Sequence, residues 1–140
     1  MKTISSARPA VQRSLRISLT TGPAAAAKAR SLVMEAIWAW DVPVDPHVAA
    51  LLTSELVTNA IRHEKGDTIE LFITCSWDRL RVYVHDTSRT APRRVSASSD
   101  SETGRGLLLV ASLSTEWGHY RTPAGKAVYF TLAFGVDQIL

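Results

Sequence analysis

The sequence predicts a single α+β domain, a two-layer sandwich in which helices cover one face of a mostly antiparallel mixed sheet. The chain has 140 residues, the size of one compact domain, and 46% of them are hydrophobic, which is enough for a core. Its segments follow the order strand, two helices, two strands, helix, two strands. Because strands and helices do not alternate one by one, an antiparallel sheet is favoured over a parallel one.

The first half of the chain contains one strand and two helices. Residues 13–20 alternate apolar and polar side chains, which is typical of a half-buried strand. Alanine-rich residues 21–40 favour a helix, and Pro43 ends it. A second helix over residues 46–64 has Asp45 as its N-cap.

The second half contains four alternating strands and one short helix. In chain order these are strands over 68–77 and 79–86, a polar irregular stretch over 87–103, a helix over 104–114, and strands over 116–122 and 126–134. An irregular stretch of that length in a small domain is usually functional or disordered. We expect a flexible segment over residues 1–12, followed by one domain over residues 13–140.

Composition excludes several classes of protein. No apolar run approaches the roughly 18 residues of a membrane span, and the basic start lacks the apolar stretch of a secretory signal. The single cysteine, Cys75, excludes an internal disulfide framework. Cys75 shares one face of its strand with Ile69, Leu71 and Ile73, which predicts a buried small hydrophobe rather than a nucleophile. A cytoplasmic protein fits these features best.

The charge balance gives little support for nucleic-acid binding. The net charge is +3, with 16 basic against 13 acidic residues. Much of the excess comes from arginines before and after the central strands: Arg8, Arg13, Arg16, Arg89, Arg93 and Arg94. A solvated tail and loop explain them better than a nucleic-acid surface, because no aromatic ladder or nucleic-acid motif accompanies them.

The most informative stretch is ELVTNAIRH, residues 55–63, on the second helix. Glu55 and Asn59 are four residues apart, so they project within about 40° of each other. Apolar side chains share that arc: Val48, Leu51, Leu52 and Leu56. A buried carboxylate needs a partner, so this pair is either a structural hydrogen-bonding unit or the floor of a functional site. His63, near the helix end, is favoured as a surface residue.

Asp86 occupies the last inward-facing position of the strand over residues 79–86. A carboxylate at the rim of a sheet can accept a hydrogen bond from the exocyclic amine of a ligand. An aspartate that ends a strand through an Asx-turn is an equally good explanation.

The stretch ETGRGLLLV, residues 102–110, places Gly104 and Gly106 where the last helix is predicted to begin. Glycines there allow a phosphate to approach the backbone, and the free N–H groups of a helix start attract anions. Arg105 can add a charge-assisted contact. A hinge before a helix is the alternative, and the pattern is not a P-loop.

In this order, the three motifs resemble those of the Bergerat-fold ATP-binding domain of the histidine-kinase-like ATPase superfamily, and within it the bacterial anti-sigma-factor serine/threonine kinase type. The stretch ELVTNAIRH is similar to the family's N-box, HDTSRTAP matches the position of its first glycine box, and ETGRGLLLV resembles its second. The resemblance extends from about Arg13 to Phe134.

The resemblance implies ATP and Mg²⁺ as cofactors and assigns a role to each motif. Asn59 would coordinate Mg²⁺, Glu55 would act as general base, and Asp86 would bind adenine, with residues 87–103 as the ATP lid. The phosphate-binding group would be Gly104, Arg105, Gly106 and Leu107. The implied partners are a sigma factor and an anti-sigma-factor antagonist, and the N-terminal strand is a plausible edge for a homodimer.

One departure from the family pattern keeps two functions open. The family's first box usually reads D-x-G-x-G, whereas Asp86 is followed here by Thr-Ser-Arg-Thr. The glycines that let the backbone pass close to a nucleotide are missing. The chain is therefore either an ATP-dependent protein kinase or a degenerate module that binds partners without phosphoryl transfer. The retained Glu55 favours the kinase.

Overall fold

The computed structural model describes residues 12–64, 66–87 and 102–135. Its elements in chain order are β1 Arg13–Thr20, α1 Ala25–Trp40, α2 Pro46–His63, β2 Thr68–Cys75, β3 Arg79–Asp86, α3 Glu102–Leu113, β4 Glu116–Thr122 and β5 Gly125–Ala133. The segment predicted over residues 1–12 and the lid predicted over residues 87–103 lie, except at their ends, outside the described residues.

The five described strands form one sheet in the order β1-β2-β3-β5-β4, and all four strand pairs are antiparallel. Helices α1 and α2 pack against each other, and α2 also contacts α3, β3 and β5. Helical and strand residues share a single hydrophobic core. The predicted α+β class, with an antiparallel sheet and helices packed on it, is confirmed.

Local signals explain the ends of α2. The Asp45 side chain accepts hydrogen bonds from the backbone N–H groups of His47, at 2.9 Å, and Val48, at 3.4 Å. Pro46 occupies the first turn, where no N–H donor is needed. This N-cap is the one that the sequence predicts. None of the helices described is long and apolar enough to cross a membrane.

The inner face of the sheet is built from a row of directly opposed pairs between β3 and β5. Three of them are apolar and fully or almost fully buried: Leu80–Leu132, Val82–Phe130 and Val84–Val128. The fourth pair, Asp86–Lys126, continues the row at the end of β3. The row of buried apolar pairs is therefore followed by a pair of opposite charges, at the end of β3 and the start of β5.

Cys75 lies on the buried face of β2 and is 9% exposed. Burial raises the pKa of its thiol, although the charge of Arg13 acts in the opposite direction. A buried thiol that resists ionisation is a poor nucleophile. The interpretation of Cys75 as a small hydrophobe is confirmed.

Candidate functional site

Asn59 is a buried amide in the helix layer. It is 4% exposed on α2, and neither its Oδ1 nor its Nδ2 has a hydrogen-bond partner among the residues that the structure describes. A buried polar group that gives up water without gaining a partner costs about 1–3 kcal/mol. Both atoms can be satisfied by a polar ligand, since the oxygen is an acceptor or metal ligand and the nitrogen is a donor.

Glu55 lies one helical turn before Asn59 and is half-buried. Glu55 therefore lies between the buried and the exposed faces of α2. A carboxylate there can contact both the protein and a group that approaches from solvent. The apolar arc predicted around it is present at Leu52 and Leu56, which are 0% and 1% exposed. Leu51 is an exception at 40% exposed, and Val48 is only half-buried.

Asp86 is buried and paired with a lysine. Lys126 Nζ donates a hydrogen bond to Asp86 Oδ1 at 3.1 Å, and the two side chains are 4% and 0% exposed respectively. The inward position predicted for Asp86 is therefore confirmed, but its lysine partner was not foreseen. Alternation along β5 could have revealed it, because Lys126 shares a face with Val128 and Phe130.

Gly125 allows the two strands to meet where Asp86 and Lys126 pair. A Cβ atom at Gly125 would clash with the backbone oxygen of Asp86 and with the backbone of Thr87. The glycine is thus required by close approach of two backbones rather than by its φ angle. It allows the start of β5 to lie against the end of β3, where Asp86 and Lys126 pair.

Glu64 ties the end of α2 to the residue that follows Asp86. Its carboxylate accepts hydrogen bonds from the backbone N–H of Thr87, at 2.7 Å, from the Thr87 hydroxyl, at 2.6 Å, and from the backbone N–H of Gly66, at 2.6 Å. Sequence reasoning missed this contact, which joins residues far apart in the chain. Asn59 lies five residues before Glu64, about 7.5 Å along the helix axis.

Helix α3 begins at Glu102, two residues before the predicted start. Gly104 and Gly106 therefore lie within its first two turns, although each glycine in a helix costs about 1 kcal/mol relative to alanine. The first backbone N–H groups of a helix have no helical partner. Leu107 is 1% exposed, which gives its side chain a packing role. Phosphate binding by Gly104–Leu107 stays a prediction.

The residues present fit a magnesium ion only if a nucleotide brings most of its ligands. Among the described residues, no group of three or more His, Cys, Asp or Glu side chains can hold a metal. Asn59 offers one neutral buried oxygen, and Mg²⁺ commonly takes its other ligands from phosphates and water. The buried amide of Asn59, which has no hydrogen-bond partner among the described residues, therefore suits Mg²⁺ bound together with nucleotide phosphates.

Comparison with known proteins gives the class of this domain. The family model of the histidine kinase-like ATPase domain matches residues 19–132, so the chain belongs to that family. The resemblance inferred from the three motifs is confirmed at this level. An ATPase domain implies ATP binding, and the roles of Asn59 and Asp86 in it stay predictions.

One solved structure that resembles the chain contains the RsbU and RsbW domains of Rv1364c from Mycobacterium tuberculosis. The TM-score is 0.62 at 19% sequence identity, and the match covers 87% of this chain and 32% of that chain. At this identity the likeness concerns the fold, and the chain spans about a third of the length of that neighbour. The comparison with curated proteins gives no significant match.

Proposed function

We propose that this protein binds Mg·ATP and transfers its γ-phosphoryl group to a serine or threonine of an anti-sigma-factor antagonist, while also sequestering a sigma factor. The observation that carries the proposal is the buried amide of Asn59, which has no hydrogen-bond partner among the described residues. In an ATPase domain, a ligand with phosphate and metal groups satisfies that amide. The RsbW domain of the structural neighbour supports the choice of partner class. A cytoplasmic location is part of the proposal.

Different residues serve nucleotide binding and phosphoryl transfer. The Asp86 carboxylate would accept a hydrogen bond from the adenine amine, and Asn59 Oδ1 would be a ligand of the metal that accompanies the phosphates. Backbone N–H groups at the start of α3 bind phosphate oxygens, with help from Arg105, Gly106 and their neighbours. Bound Mg²⁺ would neutralise charge on the phosphates.

Glu55 acts as the general base. Its carboxylate takes the hydroxyl proton of the target serine or threonine as the hydroxyl oxygen bonds to the γ-phosphorus and the bond from that phosphorus to the bridging oxygen of ADP breaks. Such a reaction depends chiefly on positioning and on neutralisation of charge. This role is supported by the half-buried carboxylate of Glu55, which lies one helical turn from the amide of Asn59.

A second function is favoured by a specific observation. Asp86 already has a cationic partner in Lys126, and the glycines expected after Asp86 are absent from the sequence. Both features weaken the case for tight nucleotide binding. The alternative is a degenerate, non-catalytic module that binds its protein partners with weak nucleotide binding or with none.

The Glu55→Ala variant separates these possibilities. Transfer of ³²P from [γ-³²P]ATP to purified candidate antagonists should fall by about 10²–10⁴-fold, the range for loss of a positioned general base. ATP affinity, measured by calorimetry, should stay within about threefold because Glu55 is not a nucleotide ligand. Glu35→Ala removes an exposed carboxylate from α1 and serves as the matched control.

Two other results would count against the kinase. If Glu55→Ala lowers the melting temperature and ATP affinity together, without a selective loss of rate, Glu55 has a structural role. If the wild-type protein binds its partners but phosphorylates no candidate, the chain belongs to the non-catalytic class.

A further inference from the structure

An open groove of about 520 Å³ lies between the start of α1 and the last turns of α2. Its walls include Gly22, Pro23 and Ala26 on the side of α1, and Ile61 and Arg62 on the side of α2. The lining is almost entirely apolar. A Cβ atom added at Gly22 would meet no other atom within 4 Å, so the groove is open at this wall. Its volume lies in the range of sites that hold a ligand of several groups.

The groove lies along the same face of α2 as Glu55. Arg62 follows Glu55 by seven residues, so the two side chains project within about 20° of each other and lie about 10 Å apart along the helix axis. An extended chain covers that distance in about three residues. A segment that brings a hydroxyl group to Glu55 and continues toward the end of α2 therefore reaches the groove.

The opposite direction along α2 is bridged by a side chain. Arg30 of α1 donates a hydrogen bond from Nη1 to the Ser54 hydroxyl at 3.0 Å, and its side chain thus crosses the space between the helices beside Glu55. Ala26 lies one turn before Arg30 on the same face of α1, and its methyl group is too short to reach α2. The space between the helices is therefore open at the end of α2.

We propose that this groove binds the segment of the phosphoacceptor protein that carries the target serine or threonine. Its occupant is an apolar side chain about three residues from the target hydroxyl, in an extended segment. An acidic residue beside that side chain pairs with the positive charge that Arg62 places at the rim. This inference rests on the proposed function of Glu55, and it adds how the protein substrate is recognised.

The competing explanation is that the groove is only a gap in the packing of two helices. Filling such a gap changes the free energy of unfolding and leaves the kinetics unchanged. A groove that binds the protein substrate away from the reacting atoms affects the KM for that substrate and spares kcat. The division between KM and kcat therefore separates the two explanations.

The experiment measures the transfer of ³²P from saturating Mg·[γ-³²P]ATP to a purified candidate antagonist whose concentration is varied. Ala26→Phe fills the groove, and Ala27→Phe, at the adjacent exposed alanine of α1, is the matched control. We expect Ala26→Phe to raise the KM for the antagonist by at least about tenfold, the effect of losing one anchor of an interface. Its kcat and its KM for ATP should stay within about threefold of wild type. Ala27→Phe should leave all three quantities unchanged.

A second variant, Arg62→Glu, reverses the charge at the rim without entering the groove. It should raise the KM for the antagonist in the same way, and it decides the matter if Ala26→Phe does not fold. An unchanged KM for the antagonist in the folded variants would overturn the inference. A loss of kcat or a raised KM for ATP in Ala26→Phe would also overturn it, because the groove would then act on the nucleotide site. If the wild type phosphorylates no candidate, the proposed function fails and the inference fails with it.

Discussion

The strand end at Asp86 and the helix face at Asn59 both bury a polar side chain in apolar surroundings, but they satisfy it differently. Asp86 receives a hydrogen bond from Lys126 within the chain. Asn59 has no such partner among the described residues. A buried charge is tolerated only with a partner, whereas a neutral amide can remain unsatisfied at moderate cost. The strand end is thus stabilised without a ligand, and we propose that the helix site gains its partners from a ligand.

The largest expected effect is on the strand end. Lys126→Met leaves the carboxylate of Asp86 buried without its cation, which should lower the free energy of unfolding by about 3–5 kcal/mol. Urea denaturation at pH 7 measures this free energy. The control Lys28→Met, at an exposed lysine of α1, should change it by less than about 0.5 kcal/mol. If Lys126→Met costs less than about 1 kcal/mol, the ion pair is not the stabilising feature described here.

The opposite sign is expected at the helix site. Asn59→Ala removes two unsatisfied buried atoms and introduces a better helix former, so the ligand-free protein should keep its stability or gain up to about 1 kcal/mol. Thermal unfolding followed by circular dichroism checks this. A clear loss of stability would show that Asn59 is a structural hydrogen-bonding group, and the contrast with Asp86 would disappear.

The smallest expected effect concerns His85, which precedes Asp86 and faces the other side of β3. Burial lowers the pKa of His85, the charge of Arg16 adds to this shift, and the charges of Glu70 and Asp86 oppose it. As pH falls below about 6.5, the unfolded chain takes up a proton that the folded state resists. Stability should therefore be fully present above that pH and decrease as pH falls toward the lowered pKa.

The His85→Gln variant tests this assignment. Its melting temperature should fall less between pH 7.5 and pH 5.5 than that of the wild type, because the titrating group has been removed. An identical fall in melting temperature in both proteins would show that groups other than His85 cause the acid sensitivity.

Local sequence signals predicted most of the fold. Alternation of apolar and polar side chains predicted the strands and the inward position of Asp86, and the Asp45-Pro46 pair predicted the start of α2. The start of α3 was placed two residues late because glycine has a low helix propensity and packing outweighs it.

The candidate site was predicted less completely than the fold. Asn59 and Asp86 come from short motifs, so the sequence could indicate them. The contacts of Glu64 with Thr87 and of Lys126 with Asp86 join residues 23 and 40 positions apart. Such contacts depend on how the sheet and α2 are assembled, and a local pattern does not contain that information.

The most direct test of the account is the magnesium dependence of ATP binding at Asn59. Calorimetric titration with ATP, with and without Mg²⁺, should show binding that Mg²⁺ strengthens in the wild type and in Thr58→Ala, a control at the neighbouring exposed position. In Asn59→Ala the strengthening by Mg²⁺ should fall by at least about tenfold, and Mg²⁺ alone should bind none of the three proteins tightly. Equal strengthening in Asn59→Ala and wild type, or no ATP binding by the wild type, would contradict the central claim that the buried amide is completed by a metal–nucleotide ligand.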